Sequence, residues 1–285
     1  MQIHNKIKAI SAIGGSIIIA ISTLLFNQHS HVDDRHNYVH VIVDSGHGSI
    51  HGNKYQTAGK QSPRWACGLK IYEGHETQHM AFTLAKTLLE AGIEVSYTNA
   101  FGRGVPLPER VSKINSIVAS VRRENPNMHV IGISLHLNAQ PTYNADYIDS
   151  EGHRGFTSVK TGGATGMEAF TSHGWTEADE FLEYFLAPAI IKMVPELRWR
   201  YGNNRYGKEA NFTILRGTTC PFVLLEFGFM TTYTDCLVII NRDVRERYIQ
   251  AIVTALRKYN EFLKNKYEVC SNNNIVFSDF WLFAA

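Results

Sequence analysis

The sequence of 285 residues lacks the features that mark several specialised classes of protein. Its four cysteines are scattered and form no C-x-x-C motif, which excludes a disulfide scaffold, a zinc ribbon and a thioredoxin-type site, and favours buried free thiols. The 22 glycines and 8 prolines exclude a fibrous chain. The net charge is only +2, so we expect no nucleic-acid partner. Hydrophobic residues make up 44% of the chain, as in an ordinary globular protein.

An apolar run near the N-terminus is a candidate membrane segment. It covers residues 9–26, follows Lys6 and Lys8, and is close to the lower limit for a helix that spans a bilayer. No A-x-A pattern follows it, so an uncleaved anchor is favoured over a cleaved signal peptide, and a buried core helix is a weaker alternative. The positive-inside rule keeps both lysines in the cytoplasm and sends the rest of the chain to the periplasm or cell surface.

The chain after the N-terminal segment is predicted to form one α/β domain. Residues 1–36 form the anchor or signal-like segment and a linker, residues 37–265 the main domain, and residues 266–285 a tail. The alternation of strands and helices predicts a mixed, mainly parallel twisted sheet of about six strands with helices on both faces. The predicted strands are 39–44, 93–98, 129–137, 166–172, 211–215 and 221–227, and the predicted helices are 75–91, 108–123, 177–193 with a kink at Pro188, and 234–264. The segments 49–68 and 138–165 are predicted loops.

Polar residues follow or end three of these strands. His47 follows the first strand, His136 lies at the end of another, and Glu226 ends the last. Ligands of open α/β sheets bind outside the carboxyl ends of the strands, so these side chains are expected to share one crevice. Two histidines and a carboxylate form the ligand set of catalytic zinc. A further ligand should lie near the start of the next helix, where the candidates are Glu73, His75, Glu76 and His79.

The segment 75–79 gives an alternative metal site, because it reads H-E-x-x-H. In zinc peptidases His75 and His79 would bind the metal and Glu76 would act as the base. Gly74 precedes the motif directly, which puts it in the first turn of its helix, and a peptidase site there leaves His47, His136 and Glu226 without a role. It is therefore kept only as an alternative.

Several segments together resemble the zinc-dependent N-acetylmuramoyl-L-alanine amidases, including those of phage endolysins. Residues 41–48 are similar to the opening strand and D-x-G-H-G turn of this family, residues 134–139 to its S-x-H-x-N-A segment, and residues 225–230 to its E-x-G-F segment. Residues 166–170 resemble its central strand. The family's glutamate ligand stands nineteen residues before the glycine that ends the helix, and Gly92 therefore indicates Glu73.

The resemblance extends over about residues 39–264 and implies a role for each matched residue. His47, Glu73 and His136 would hold a Zn²⁺ ion, and Glu226 would be the catalytic carboxylate. Two departures, at Thr77 and Asn99, concern helix packing and substrate choice more than metal binding. Asn138, which is part of the matched segment 134–139, and Arg64 and Arg216, which belong to no matched segment, are further candidates for contact with the substrate.

The implied function is hydrolysis of the amide bond between N-acetylmuramic acid and L-alanine in peptidoglycan by a monomeric enzyme. The long segment 49–65 is similar to phage-type members, and with the compact domain it favours a lysis enzyme. The alternatives are the H-E-x-x-H peptidase and a catalytically inactive wall-binding regulator of lysis. An inactive regulator should have lost at least one of His47, Glu73, His136 and Glu226, and all are in place.

Overall fold

The structure is a computed structural model, and it describes residues 37–48, 50–51, 54–55, 60–65, 67–98, 102–140, 146–148, 154–156 and 163–273. The predicted N-terminal anchor and the last residues of the predicted tail lie outside these ranges. No helix within the described ranges has the length and apolar character that crossing a membrane requires.

The centre of the domain is a six-stranded sheet. The strands in chain order are β1 (Val39–Ser45), β2 (Ile50–His51), β3 (Lys54–Tyr55), β4 (Glu94–Tyr97), β5 (His129–Asn138), β6 (Asp146–Ile148), β7 (Arg154–Phe156), β8 (Glu168–Thr171), β9 (Gly207–Glu209) and β10 (Phe222–Phe229). The sheet has the order β4-β1-β5-β10-β8-β9, and all neighbours are parallel except the antiparallel pair β10–β8. This confirms the predicted mixed, mainly parallel sheet. The strands β2 with β3, and β6 with β7, form two small hairpins inside the predicted loops.

Helices cover both faces of the sheet. They are α1 (Glu73–Glu90), α2 (Leu107–Glu124), α3 (Glu177–Phe181), a π-helical turn (Leu182–Leu186), α4 (Ala187–Met193), α5 (Thr213–Gly217), α6 (Tyr233–Ile240) and α7 (Arg242–Asn273). Alternation along β1 explains the two layers: Val41 and Val43 pack into a core with residues of α1 and α7, whereas Ile42 packs with residues of α2 and α5 on the other face. Each fully buried Val, Ile or Leu contributes about 1.5–3 kcal/mol, so both cores hold the sheet.

The predicted strand over residues 211–215 is wrong. This stretch enters the short helix α5, and the edge strand is β9 instead. The adjacent residues Ile214 and Leu215 are both buried in the same core against α2. A strand would point successive side chains to opposite faces, whereas one turn of helix can bury both on one side.

The predicted closing helix over residues 234–264 is two helices. The chain is extended at Asn241, whose side-chain Oδ1 accepts a hydrogen bond of 3.2 Å from the N–H of Val244 and so caps the start of α7. Helix α7 then continues to Asn273, beyond the predicted end of the domain.

The predicted kink at Pro188 takes the form of a π-helical turn immediately before α4. Proline has no N–H and is tolerated in the first turn of a helix, and Pro188 occupies that position in α4. The prediction of buried free thiols holds for Cys220 and Cys236 but is wrong for Cys67, which is free and exposed.

Candidate metal centre and catalytic cleft

The turn after β1 brings a histidine to the rim of the sheet. His47 has a φ of 60°, a left-handed conformation that is uncommon for residues other than glycine and frequent at functional sites. The preceding Gly46 lies under the imidazole of His136, and a Cβ at Gly46 would stand only 2.5 Å from Nδ1 of that ring. Glycine at position 46 therefore makes room for the second histidine.

The start of α1 brings a carboxylate to the same point. A Cβ at Gly74 would stand 2.0 Å from the carbonyl oxygen of Gly48, so the first turn of α1 packs directly on the turn after β1. Thr77, one of the departures from the family pattern, is buried and donates a hydrogen bond of 2.8 Å from Oγ1 to the carbonyl oxygen of Gly46. These contacts fix Glu73, which is 2% exposed, beneath the two histidines.

His47, Glu73 and His136 form a group that can hold a metal ion, because one ligand atom of each lies within 4.8 Å of the others. Oε1 of Glu73 is 3.2 Å from Nε2 of His47 and 3.1 Å from Nδ1 of His136. Ligands at 2.0–2.1 Å from a tetrahedral zinc ion stand about 3.3 Å apart, so the donor set and its spacing fit such an ion. It is the only such group of three or more His, Cys, Asp or Glu residues among the described residues.

Hydrogen bonds and neighbouring charges also shift the pKa values of Glu73 and His136. Burial alone would raise the pKa of Glu73, but the hydrogen bonds from His136 and His47 outweigh burial and lower this pKa to about 2. Burial alone would lower the pKa of His136, but the hydrogen bond with Glu73 and the nearby carboxylates raise it. The N–H of Leu137 adds a hydrogen bond of 3.2 Å to Oε1 of Glu73. A carboxylate held in its charged form is the state that binds a cation.

Glu226 lies next to this group on β10. It is the direct partner of His136 on β5 and of Glu168 on β8. Its Oε2 is buried and has no hydrogen-bond partner among the residues that the structure describes. Burial raises the pKa of Glu226 to about 7, with the charges of Glu73 and Glu168 acting in the same direction and that of His136 in the opposite one. A carboxyl group with an open acceptor site and this pKa can exchange a proton near neutral pH.

Beyond Glu226 the cleft continues with further polar residues, which no sequence motif indicates. Glu168, which lies in the segment that resembles the family's central strand, accepts a hydrogen bond of 2.9 Å from Nε of Arg200 and one of 2.5 Å from Nζ of Lys208. Burial alone would raise the pKa of Glu168, but the hydrogen bonds from Lys208 and Arg200 lower it. No motif could have indicated Arg200 or Lys208, because the pairing of β8 with β9 brings Lys208 to the cleft and the bridge between Met167 and Trp199 brings Arg200 there.

The three candidates for substrate contact lie in different surroundings. Asn138 donates a hydrogen bond of 2.5 Å from Nδ2 to Oε2 of Glu168, and therefore lies in the cleft. Arg64 is exposed and contacts the carbonyl oxygen of Gly68 at 3.3 Å, within its own loop. Arg216 is exposed in the last turn of α5. Their roles in substrate binding stay predictions.

The H-E-x-x-H segment lies in a separate cavity of about 480 Å³ between α1 and α7. The rings of His75 and His79 are 4.6 Å apart, but Oε2 of Glu76 is 2.5 Å from Nη1 of Arg245. A carboxylate oxygen that is held in such an ion pair is not free to take a proton from a metal-bound water. This pairing argues against the peptidase alternative.

Taken together, the fold and the site define an α/β protein with a candidate metal centre and a neighbouring acidic group at the carboxyl rim of its sheet. The family model described as N-acetylmuramoyl-L-alanine amidase matches residues 41–258. The chain therefore belongs to the N-acetylmuramoyl-L-alanine amidase family, as the sequence resemblance predicted.

A relative from another organism and two solved structures are also similar to this chain. A protein of Staphylococcus epidermidis named "Probable cell wall amidase LytH" is 26% identical over 219 residues, which is 77% of this chain and 57% of that protein. This chain thus spans little more than half the length of that relative. Two solved structures share the fold. The N-acetylmuramoyl-L-alanine amidase of Clostridium difficile 630 has a TM-score of 0.57 at 24% identity, and AmiC2 of Nostoc punctiforme has 0.54 at 21%; each comparison covers 79% of this chain and 98% of the other.

Proposed function

We propose that this chain is a zinc-dependent amidase that hydrolyses the bond between N-acetylmuramic acid and L-alanine in peptidoglycan. The observation that carries the proposal is the convergence of His47, Glu73 and His136 at one point beside the unpartnered Oε2 of Glu226. Membership of the amidase family supports the reaction, and the two imidazole nitrogens and one carboxylate oxygen support zinc as the metal.

A zinc ion held by His47, Glu73 and His136 would polarise the scissile carbonyl group and lower the pKa of a water molecule toward about 7. The residues of the chain have distinct tasks around it. Oε2 of Glu226 accepts a proton from the attacking water and later donates it to the nitrogen of L-alanine, so that the C–N bond breaks and a neutral amine leaves. Glu73 stays ionised as the anionic member of the ligand set, and the N–H of Leu137 holds its Oε1 in place with a hydrogen bond of 3.2 Å.

The proposal is tested by digestion of purified peptidoglycan with the full chain. We expect the appearance of free N-terminal L-alanine, its loss with a chelator, and its return when Zn²⁺ is added. Release of reducing sugar, or cleavage only of cross-bridges, would contradict the amidase reaction. Activity that survives complete removal of metal would contradict the dependence on zinc.

We also propose that the apolar segment 9–26 delivers the domain to the outer face of the membrane, where it acts in cell lysis. The two lysines before this segment support the orientation. The test compares bacteria that express the full chain with bacteria that express a variant lacking residues 1–36. We expect membrane association and lysis only with the full chain. Equal lysis by both chains would overturn the role of the segment.

A further inference from the structure

Arg200 and Lys208 converge on one buried acidic group in the cleft. Glu168 is only 7% exposed, and both cations bond to its Oε1 while Asn138 bonds to its Oε2. The guanidinium of Arg200 also lies over the ring of Phe229, 5.3 Å from its centre, which restricts its position. The two cations are therefore fixed in place within the cleft.

Arg200 and Lys208 together carry two positive charges, whereas the carboxylate of Glu168 between them carries one negative charge. The side chains of Arg200 and Lys208 are 28% and 27% exposed, and they share the single negative charge of Glu168. Arginine has five N–H donors and lysine three, and Nη2 of Arg200 makes no hydrogen bond within the described part of the chain. One positive charge with unused donors is thus left at the surface of the cleft.

This charge lies at a defined distance from the candidate reaction centre. Glu168 is the direct partner of Glu226, so the two side chains lie on the same face of the sheet. Neighbouring strands are about 4.8 Å apart, which places β8 and β9 roughly 5 and 10 Å from β10. Two extended residues of a bound peptide span about 7 Å, and they would bring the second residue of a stem peptide level with these strands.

We propose that Arg200 and Lys208 form a subsite that binds a free carboxylate of the stem peptide, one residue beyond the L-alanine of the scissile amide. This inference rests on the proposed amidase function, because it takes the scissile bond to lie beside Glu226. A carboxylate is the group that a guanidinium and an ammonium together recognise, and in peptidoglycan the second residue of the stem is either D-glutamate, with a free carboxylate, or its neutral amide. The subsite selects the charged form.

The test measures kcat/KM for two soluble substrates that differ only at this group: the γ-methylamides of N-acetylmuramoyl-L-alanyl-D-glutamate and of N-acetylmuramoyl-L-alanyl-D-isoglutamine, in which the γ-carboxyl group is blocked as it is in the stem peptide. We expect the wild-type chain to favour the acid by about tenfold, as for one partly exposed charged hydrogen bond. In Arg200→Met and Lys208→Met the preference falls toward one, mainly through a higher KM for the acid. The matched control Lys192→Met, which removes an exposed charge on α4, keeps the preference.

The two proposals fail in different ways. If the wild-type chain with Zn²⁺ cleaves both substrates equally well, or prefers the amide, the carboxylate subsite is wrong and the amidase function stands. If it cleaves neither these substrates nor peptidoglycan, the amidase function itself is wrong. A preference for the acid that persists in both methionine variants would place the recognition elsewhere and would also overturn the subsite.

Discussion

His136 and Glu226 are direct neighbours across the parallel strands β5 and β10. The pairing puts a candidate metal ligand and a candidate base on one face of the sheet, about 4.8 Å apart at the backbone. A register shift of one residue would turn Glu226 to the opposite face and bury it among apolar side chains. The register between β5 and β10, which their apolar residues specify, is therefore part of the geometry of the candidate site.

The first prediction concerns Glu226 as the proton acceptor. Glu226→Gln keeps the size of the side chain but cannot take a proton, so we expect kcat to fall by about 10²–10⁴-fold with the zinc content unchanged. The matched control is Glu76→Gln, which should keep full activity, because Glu76 pairs with Arg245 away from the centre. Loss of activity in Glu76→Gln with retention in Glu226→Gln would favour the H-E-x-x-H peptidase.

The second prediction concerns the space that Gly46 leaves for His136. In Gly46→Ala the new methyl group would stand 2.5 Å from Nδ1, well inside van der Waals contact, so the ring has to move. We expect zinc affinity to fall by about tenfold or more while the circular dichroism spectrum stays native. Gly217→Ala is the control, because its Cβ would crowd Val111 at 3.0 Å, between α5 and α2, and should leave zinc affinity unchanged. Equal zinc affinity in Gly46→Ala and the wild type would disprove this packing argument.

The third prediction concerns the buried ion pair beneath the site. Asp44 is fully buried and lies 3.3 Å from Nη1 of Arg110, which also donates a hydrogen bond of 2.7 Å to the carbonyl oxygen of Ser45. Arg110→Met leaves this carboxylate without its cation, so we expect the free energy of unfolding to fall by about 3–5 kcal/mol. Arg123→Met, at an exposed position of the same helix, should change it by about 0.5 kcal/mol or less. Urea denaturation measures both, and similar values for the two variants would refute the importance of the pair.

The fourth prediction concerns the dependence of stability on pH through Glu177. Burial alone would raise the pKa of Glu177, but hydrogen bonds from His129, at 2.6 Å, and from Tyr259 lower it. A pKa that is lower in the folded state stabilises the protein above the unfolded value of about 4.3, and this contribution is lost as the pH falls through the folded value.

We therefore expect Glu177→Gln to lower the unfolding free energy at pH 6, and the difference from the wild type to shrink steadily below about pH 4. Unfolding by urea across this range gives the measurement, and Glu180→Gln on the same short helix is the control. A difference that stays constant down to the lowest pH would show that Glu177 does not titrate as described.

The sequence predicts those helices and strands in which apolar residues form a long run or recur with a clear period. The apolar runs of β1, β5 and β10 and the stripe of α1 are local patterns, and the structure has each of them close to the predicted bounds. One short element is wrong: the predicted strand over residues 211–215 enters the helix α5, in which Ile214 and Leu215 pack against α2. A short apolar run contains too few residues for its periodicity to distinguish a strand from a helix.

The sequence by itself determined the family, the kind of sheet and the residue types at the strand ends, because a strand's alternation and the polar residue that ends it are local properties of the chain. Only the tertiary structure decided that Glu73 lies against both histidines while Glu76 pairs with Arg245, and that Arg200 and Lys208 meet at Glu168. These contacts join residues far apart in the chain. Which of them form depends on strand order, register and the packing of α1 on the turn after β1, and no local pattern encodes these.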